Sequence, residues 1–252
     1  MGSTKMRVKI DATGLLFAML IALTIFSAFN ATAETWPSAP TPSEPSSVFA
    51  TWSYKFLGAE TSYGGSQGVC AEISVTNPSV PHDQSHNDFF YAWIMVYSSN
   101  RTKWIQVGWS EVSWKPDTQY VTEYDTEHND WRFYNQYPLT VGHSYYFAIS
   151  YQGSGSWASW IWWNNRWNLL AQANIQLQSA ERTGEFCEVC TSTNNWFNVP
   201  TTTFHSTCLL TGNRWSLWMA QQSTTVYDSN DPYSVHWYAQ YSDWCMNKSG
   251  LT

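Results

Sequence analysis

"SYYFAISYQGSGSWASWIWW", residues 144–163, decides the fold. Two runs of aromatic and β-branched residues, "SYYFAISYQ" and "SWASWIWW", flank the Gly-Ser turn "QGSGS" at 152–156. A small-residue turn between two such runs is the signature of a β-hairpin. Strand alternation gives the second run two faces, Trp160 and Trp162 on one, Trp157 and Trp163 on the other. The same rhythm extends outward along the chain. Strands are predicted near 69–76, 90–97, 103–109, 119–125, 131–135, 144–151, 156–163, 167–177, 183–189, 202–209, 214–220 and 234–241. Turn signals separate them, among them "TNPS" at 76–79, "SSNRT" at 98–102 and "NNR" at 164–166. No stretch beyond the N-terminal apolar run carries apolar residues at helical spacing over ten or more positions. Short, regularly spaced strands with Gly/Asn turns predict an all-β fold, a two-sheet antiparallel β-sandwich of the jelly-roll or concanavalin-like kind, formed by residues 67–252.

The N-terminal residues read differently. Lys5, Arg7 and Lys9 precede an apolar run from Gly14 to Phe29, and "ATAET" follows with Ala31 and Ala33 at small-x-small spacing. That pattern predicts a signal peptide over 1–33, cleaved after Ala33, and a secreted product with no membrane segment after cleavage. "ETWPSAPTPSEPSS" is Pro/Ser-rich, so 34–66 is expected to be an extended arm or linker.

The chain carries a formal net charge of −7, and losing Lys5, Arg7, Lys9 and Asp11 with the signal makes it more negative. No Lys/Arg cluster remains, which argues against nucleic acid as a partner. Charged residues are only 12% of the chain and aromatics 17%, including 17 tryptophans. Such a composition suits aromatic-rich sheet faces or clefts. Few carboxylates also limit charge build-up on acidification.

Five cysteines, Cys70, Cys187, Cys190, Cys208 and Cys245, are disulfide candidates in an exported protein, with one left over. "CEVC" at 187–190 lacks both the second close pair that zinc needs and the βαβ context of a redox motif. Cys187 or Cys190 bonded to Cys208 is the first expectation. His82, Asp83, His86 and Asp88 form the one group with metal-like residues, on a polar loop of ordinary composition, and neither a metal nor a cofactor is expected. Asn100 in "NRT" and Asn247 in "NKS" fit the N-glycosylation sequon.

No Ser-His-Asp or Cys-His arrangement is legible, and "GSGS" at 153–156 is a turn rather than a nucleophile elbow. The remaining chemistry lies inside the strands. In "KWIQVGW" (103–109), alternation puts Trp104, Gln106 and Gly108 opposite Ile105, Val107 and Trp109. With Ile105 and Val107 toward the core, Gln106 lies on the other face, and Gly108 is expected to leave room there for an approaching chain. Glu123 and Asp125 share a parity in "QYVTEYDTE", and Glu185 precedes Phe186 in "RTGEFCEVC".

The order "YAWIMV" (91–96), "WIQVG" (104–108), "TEY" (122–124), "LTVGHSYYFAIS" (139–150) and "GEFCE" (184–188) resembles the eqolisin-type glutamic peptidases, over roughly residues 68–210. The resemblance implies a secreted, acid-active β-sandwich that hydrolyses peptide bonds. It carries the family's catalytic glutamine onto Gln106 and its catalytic glutamate onto Glu185. Glu123 matches a supporting acid and Trp93 a family tryptophan, while Tyr97 stands where the family has an aspartate. In such a pair the glutamate deprotonates a water that attacks the scissile carbonyl. The glutamine amide donates to the developing oxyanion.

A second reading is a non-catalytic, polymer-binding sandwich. Trp157, Trp160, Trp162, Trp163 and Trp167 are its candidate carbohydrate platform, with Asn164 and Asn165 as polar partners. A third is a structural or adhesive surface protein. The expected partner is a peptide or a polysaccharide. Geometry separates the first two. A peptidase needs Gln106 and Glu185 to converge in an open groove, and a platform needs at least two of the tryptophans coplanar and exposed.

Overall fold

The computed structural model describes residues 53–248 except 62–63, 83–86, 116–117, 194, 220–223 and 228. The expected signal peptide, the first part of the arm (34–52), Asp83 and His86 lie outside the described residues.

Sixteen strands form, and no helix occurs among the described residues. They are β1 (Ser53–Thr61), β2 (Gly68–Ser74), β3 (Phe89–Tyr97), β4 (Trp104–Val112), β5 (Tyr120–Asp125), β6 (Asp130–Tyr134), β7 (Ser144–Gly153) and β8 (Ser156–Trp163). Then come β9 (Arg166–Ala173), β10 (Arg182–Thr191), β11 (Thr202–Thr211), β12 (Arg214–Leu217), β13 (Thr224–Tyr227), β14 (Ser229–Asn230), β15 (Tyr233–Ala239) and β16 (Asp243–Lys248). Every segment read as a strand from the sequence overlaps one. The opening hairpin is β7–β8, joined through Ser154 and two glycines in the left-handed region.

Two antiparallel sheets result. One has seven strands in the order β13-β1-β10-β3-β4-β5-β6. The other has nine, running β14-β15-β16-β11-β2-β7-β8-β9 with β12 on β11. The expected arm, 34–66, needs correction. Residues 53–61 are β1, an interior strand of the seven-stranded sheet, paired with both β10 and β13. Its alternation was visible in "SYKFLGAET": Leu57 and Ala59 face the core, while Tyr54 and Phe56 face outward and are exposed.

The main core lies between the sheets. Ile94, Ile105, Val107 and Val189 of the seven-stranded sheet meet Phe147, Trp157 and Phe204 of the other. A second apolar cluster, around Tyr91, Trp93 and Phe186, covers the outer face of the seven-stranded sheet. A third, around Cys70, Ala158 and Trp160, covers the outer face of the nine-stranded sheet. Both sheets are thus apolar on both faces. That is why short apolar runs interrupt the simple in-out alternation of the sequence.

One irregularity sets side-chain directions downstream. Between β11 and β2 the register runs His205↔Glu72 and then Cys208↔Cys70, three residues against two. This is a β-bulge, with Ser206 at φ 52. It turns Thr207 into the sandwich and Cys208 out of it.

Candidate functional site

A groove of about 820 Å³ runs over the outer face of the seven-stranded sheet, a size suited to a bound segment of chain. Cross-strand register fixes its floor. Gln106 on β4 stands opposite Met95 on β3 and Tyr124 on β5. Met95 stands opposite Gly184 on β10, and Gly184 opposite Glu60 on β1. The next row holds Gly108, Trp93 and Phe186, and the row beyond it Ser110, Tyr91 and Glu188.

Gln106 is on the groove face, as alternation predicts, and it lines the groove. Its side-chain amide makes no hydrogen bond to another group among the described residues. Trp104 and Tyr124 stack beside it, ring centroids 5.6 Å apart at 20°, and Trp131 packs 5.5 Å from Tyr124. The expected role of Gly108 is corrected. A Cβ there would sit 1.9 Å from the Ala92 carbonyl oxygen, so the glycine permits close approach of β3 rather than opening space for a ligand.

Glu185 does not face the groove. It shares its parity on β10 with Cys187 and Val189 of the main core, and it is fully buried. One carboxylate oxygen accepts a hydrogen bond from the Thr207 hydroxyl of the opposite sheet at 2.6 Å. The other has no hydrogen-bond partner within bonding geometry among the described residues, the Trp244 indole lying nearby. Burial pushes its pKa up to about 8, against the pull of the Thr207 hydroxyl and the Trp244 indole. The expected Gln106–Glu185 pair is therefore split across the sheet.

Glu123 is also on the core face and fully buried. It is ion-paired with Arg132 at 2.6 Å, and Arg132 also contacts Asp125, which His128 holds at 2.8 Å. Burial outweighs Arg132 and raises the Glu123 carboxyl to about 7. Asp125, Glu127 and His128 lie close enough to share an ion, but the Asp125 carboxylate is already taken by Arg132 and His128. Asp88 of the His/Asp-bearing loop is buried and accepts from the Ser192 amide at 2.6 Å and its hydroxyl at 2.9 Å. His82 instead lies 3.6 Å from Glu111.

Trp93 is nearly buried at the middle of the groove floor, its ring 5.0 Å from that of Phe186. Tyr97 closes one end. Its hydroxyl donates to the Glu60 carboxylate. Glu60 also accepts from Arg182 at 2.8 Å, Arg101 at 3.1 Å and the Tyr227 hydroxyl at 3.2 Å. An acid delivered by β1 thus meets Tyr97 at this corner. Sequence reading missed Glu60 because it assigned β1 to the arm.

Glu188 is the second groove acid that sequence reading missed. It lies one parity step from Glu185 on the groove face and lines the groove. Burial pushes its carboxyl up to about 8, opposed by the nearby Trp93 indole. Gln106 and Glu188 are two strands and four residues apart in register. That separation puts their Cα atoms about 16 Å apart, with Trp93 between them. Neither neighbour of β4 presents a carboxylate on the groove face. The outward residues are Phe89, Tyr91, Trp93, Met95 and Tyr97 on β3, and Tyr120, Thr122 and Tyr124 on β5.

The tryptophan platform does not assemble. Trp157 is in the core, its indole donating to the Leu177 carbonyl at 2.8 Å. Trp160 is nearly buried and donates to the Ser150 hydroxyl at 3.0 Å. Trp162 and Trp167 meet edge-on at 70°, and Trp163 stacks on Tyr145 against the core. The exposed stacked pair lies instead beside the groove, Tyr54 and Phe56 at 9°.

The expected cysteine pairing is corrected too. Cys190 is on the groove face of one sheet and Cys187 in the main core, while Cys208 is on the outer face of the other sheet. Neither can reach Cys208. All five thiols are free, Cys245 lying 3.4 Å from the Tyr238 hydroxyl.

No known family model matches the sequence, and neither does any curated protein. Solved structures do match. Scytalido-glutamic peptidase with a peptide-based transition state analog superposes at a TM-score of 0.58, covering 79% of this chain and 100% of that one. The fold is that of the glutamic peptidases. The same peptidase with a transition state analog inhibitor gives 0.59. SCP-B, a member of the eqolisin family in a complex with the tripeptide Ala-Ile-His, gives 0.55, both over the same shares of chain. Identities are 13%, 12% and 12%, so the likeness is one of fold.

Proposed function

We propose that this is an exported protein that uses a glutamic-peptidase-like sandwich to bind an extended polypeptide in the outer groove of its seven-stranded sheet. One observation carries this reading: the Gln106 amide faces an aromatic groove with no hydrogen-bond partner among the described residues, and the strands on either side of it offer no carboxylate on the groove face. An amide has both a donor and an acceptor, which match the N–H and C=O of a peptide unit. The rings of Trp104, Tyr124 and Trp131 supply apolar contact for side chains along the chain. The neighbouring fold holds peptide-based ligands in its solved complexes, which supports the choice of ligand class. The signal read at 1–33 supports an extracellular setting.

Hydrolysis of peptide bonds is the second reading. It is favoured by Glu188, an acid in the same groove as Gln106 whose carboxyl is raised to about 8. In that case Glu188, not Glu185, is the carboxylate to test.

Titration of the intrinsic tryptophan fluorescence with a denatured protein and with soluble glucan, together with a cleavage assay from pH 2 to 8, separates the readings. Saturable binding of the polypeptide without cleavage, weakened by Gln106→Ala and Trp104→Ala, is expected. Cleavage abolished by Glu188→Gln establishes the second reading. Binding of glucan alone overturns the ligand class.

A further inference from the structure

We propose that Cys70 and Cys208 close a disulfide across the outer face of the nine-stranded sheet. The two residues are direct cross-strand partners, Cys70 on β2 and Cys208 on β11. Opposed residues in an antiparallel pair have Cα atoms about 4.5–5.5 Å apart, inside the roughly 4.4–6.8 Å range of disulfides. Both side chains leave the sheet on the same side and join the cluster formed with Ala148, Ala158 and Trp160.

The bulge makes the pairing. Were the same residues paired regularly from His205 onward, Thr207 would stand opposite Cys70 and Cys208 would point into the core. The other three cysteines lie elsewhere, with Cys187 and Cys245 near enough to each other to interact electrostatically. Cys187 faces the core, Cys190 the groove, and Cys245 stands opposite Thr203 and His236. No other cysteine pair is matched in register among the described residues.

The two thiols are unequal, and the difference gives the order of events. Cys208 is half-exposed and Cys70 buried. A hydrogen bond from Cys70 lowers the pKa of Cys208, while that bond and burial raise Cys70. Cys208 is thus the attacking thiolate. It displaces one sulfur of a small disulfide oxidant such as glutathione disulfide, giving a mixed disulfide and one released thiol. Cys70 loses its proton and attacks Cys208 Sγ of that mixed disulfide, expelling the second oxidant sulfur as a thiol. The protein loses two hydrogens and the oxidant gains them. The product ties the two central strands of the larger sheet together.

The full-length reduced protein is incubated with a mixture of oxidised and reduced glutathione, quenched with iodoacetamide and digested without reductant. Mass spectrometry is expected to find a peptide joining Cys70 to Cys208, about 2 Da lighter than the two reduced peptides together. Cys187, Cys190 and Cys245 carry alkyl groups. Cys190→Ser keeps the linked peptide, and Cys208→Ser abolishes it. Alkylation of both Cys70 and Cys208 in the wild type, or either one linked to a different cysteine, overturns the proposal. Mapping of the wild type alone decides the matter if Cys208→Ser does not fold. Because glutathione supplies the oxidant, the result stands apart from whether the chain is exported and from what the groove binds.

Discussion

Gln106 and Glu185 stand on opposite faces of one sheet, the amide over the groove and the carboxyl buried against Thr207 of the facing sheet. A water cannot bridge them. Exchanging Glu185 therefore leaves the groove's chemistry in place. Glu185→Gln is expected to bind polypeptide within about twofold of wild type. Gln106→Ala loses roughly fivefold, about one net hydrogen bond. Fluorescence titration of the two variants checks this, and a larger loss in Glu185→Gln would tie Glu185 to the groove after all.

Stability should rise as the medium becomes acid. Glu123, Glu185 and Glu188 have carboxyls raised to about 7, 8 and 8. An unfolded glutamate titrates near 4.3. Between about pH 4.5 and 8 the folded chain holds protons that the unfolded chain releases, so stability falls as pH rises. The thermal midpoint is expected to climb from pH 8 toward pH 4.5. Glu185→Gln should flatten part of that slope. A midpoint that falls over the same interval contradicts the buried, neutral state of these acids.

The corner around Glu60 should be worth more to the fold than an isolated surface pair. Glu60 gathers two guanidiniums and two tyrosine hydroxyls, joining β1 to β3, β10, β13 and the β3–β4 turn. Glu60→Gln is expected to cost about 1–2 kcal/mol, discounted because Arg101 and Arg182 both reach solvent. The shift in the urea midpoint measures it. Tyr97→Phe, which keeps the ring and removes one donor, should cost less.

Gly108→Ala is expected to be among the most damaging single substitutions on β4. The added Cβ would meet backbone at 1.9 Å, where no side chain can swing aside. A loss of about 3 kcal/mol or more, or failure to accumulate folded protein, is expected. The shift in the urea midpoint measures it, or the yield of folded protein where none survives to melt.

The sequence carried the architecture further than it carried the site. Period-2 runs and Gly/Ser/Asn turns located twelve strands, because local alternation and turn chemistry are properties of a few adjacent residues. They also put Gln106 on its face correctly, since Ile105 and Val107 flank it with unambiguous core residues. On β10 the same logic had nothing to hold. In "GEFCEVC" both parities are apolar, because Phe186 and Cys190 cover the groove floor while Cys187 and Val189 fill the core. Glu185 and Glu188 were therefore indistinguishable by pattern. The partners of Glu60 and the Cys70–Cys208 register were hidden for another reason. They depend on pairing between segments more than a hundred residues apart, and on one extra residue in β11.

That extra residue gives β11 one residue more than its partner strand needs. With Ser206 deleted, Thr207 would stand opposite Ala71, and Cys208 and Leu209 would keep Cys70 and Val69 as partners. Phe204 and Leu209 would stay in the core, and the Thr207 hydroxyl would stay on the side of the Glu185 carboxyl. The strand can lose one residue here without a frameshift in three dimensions.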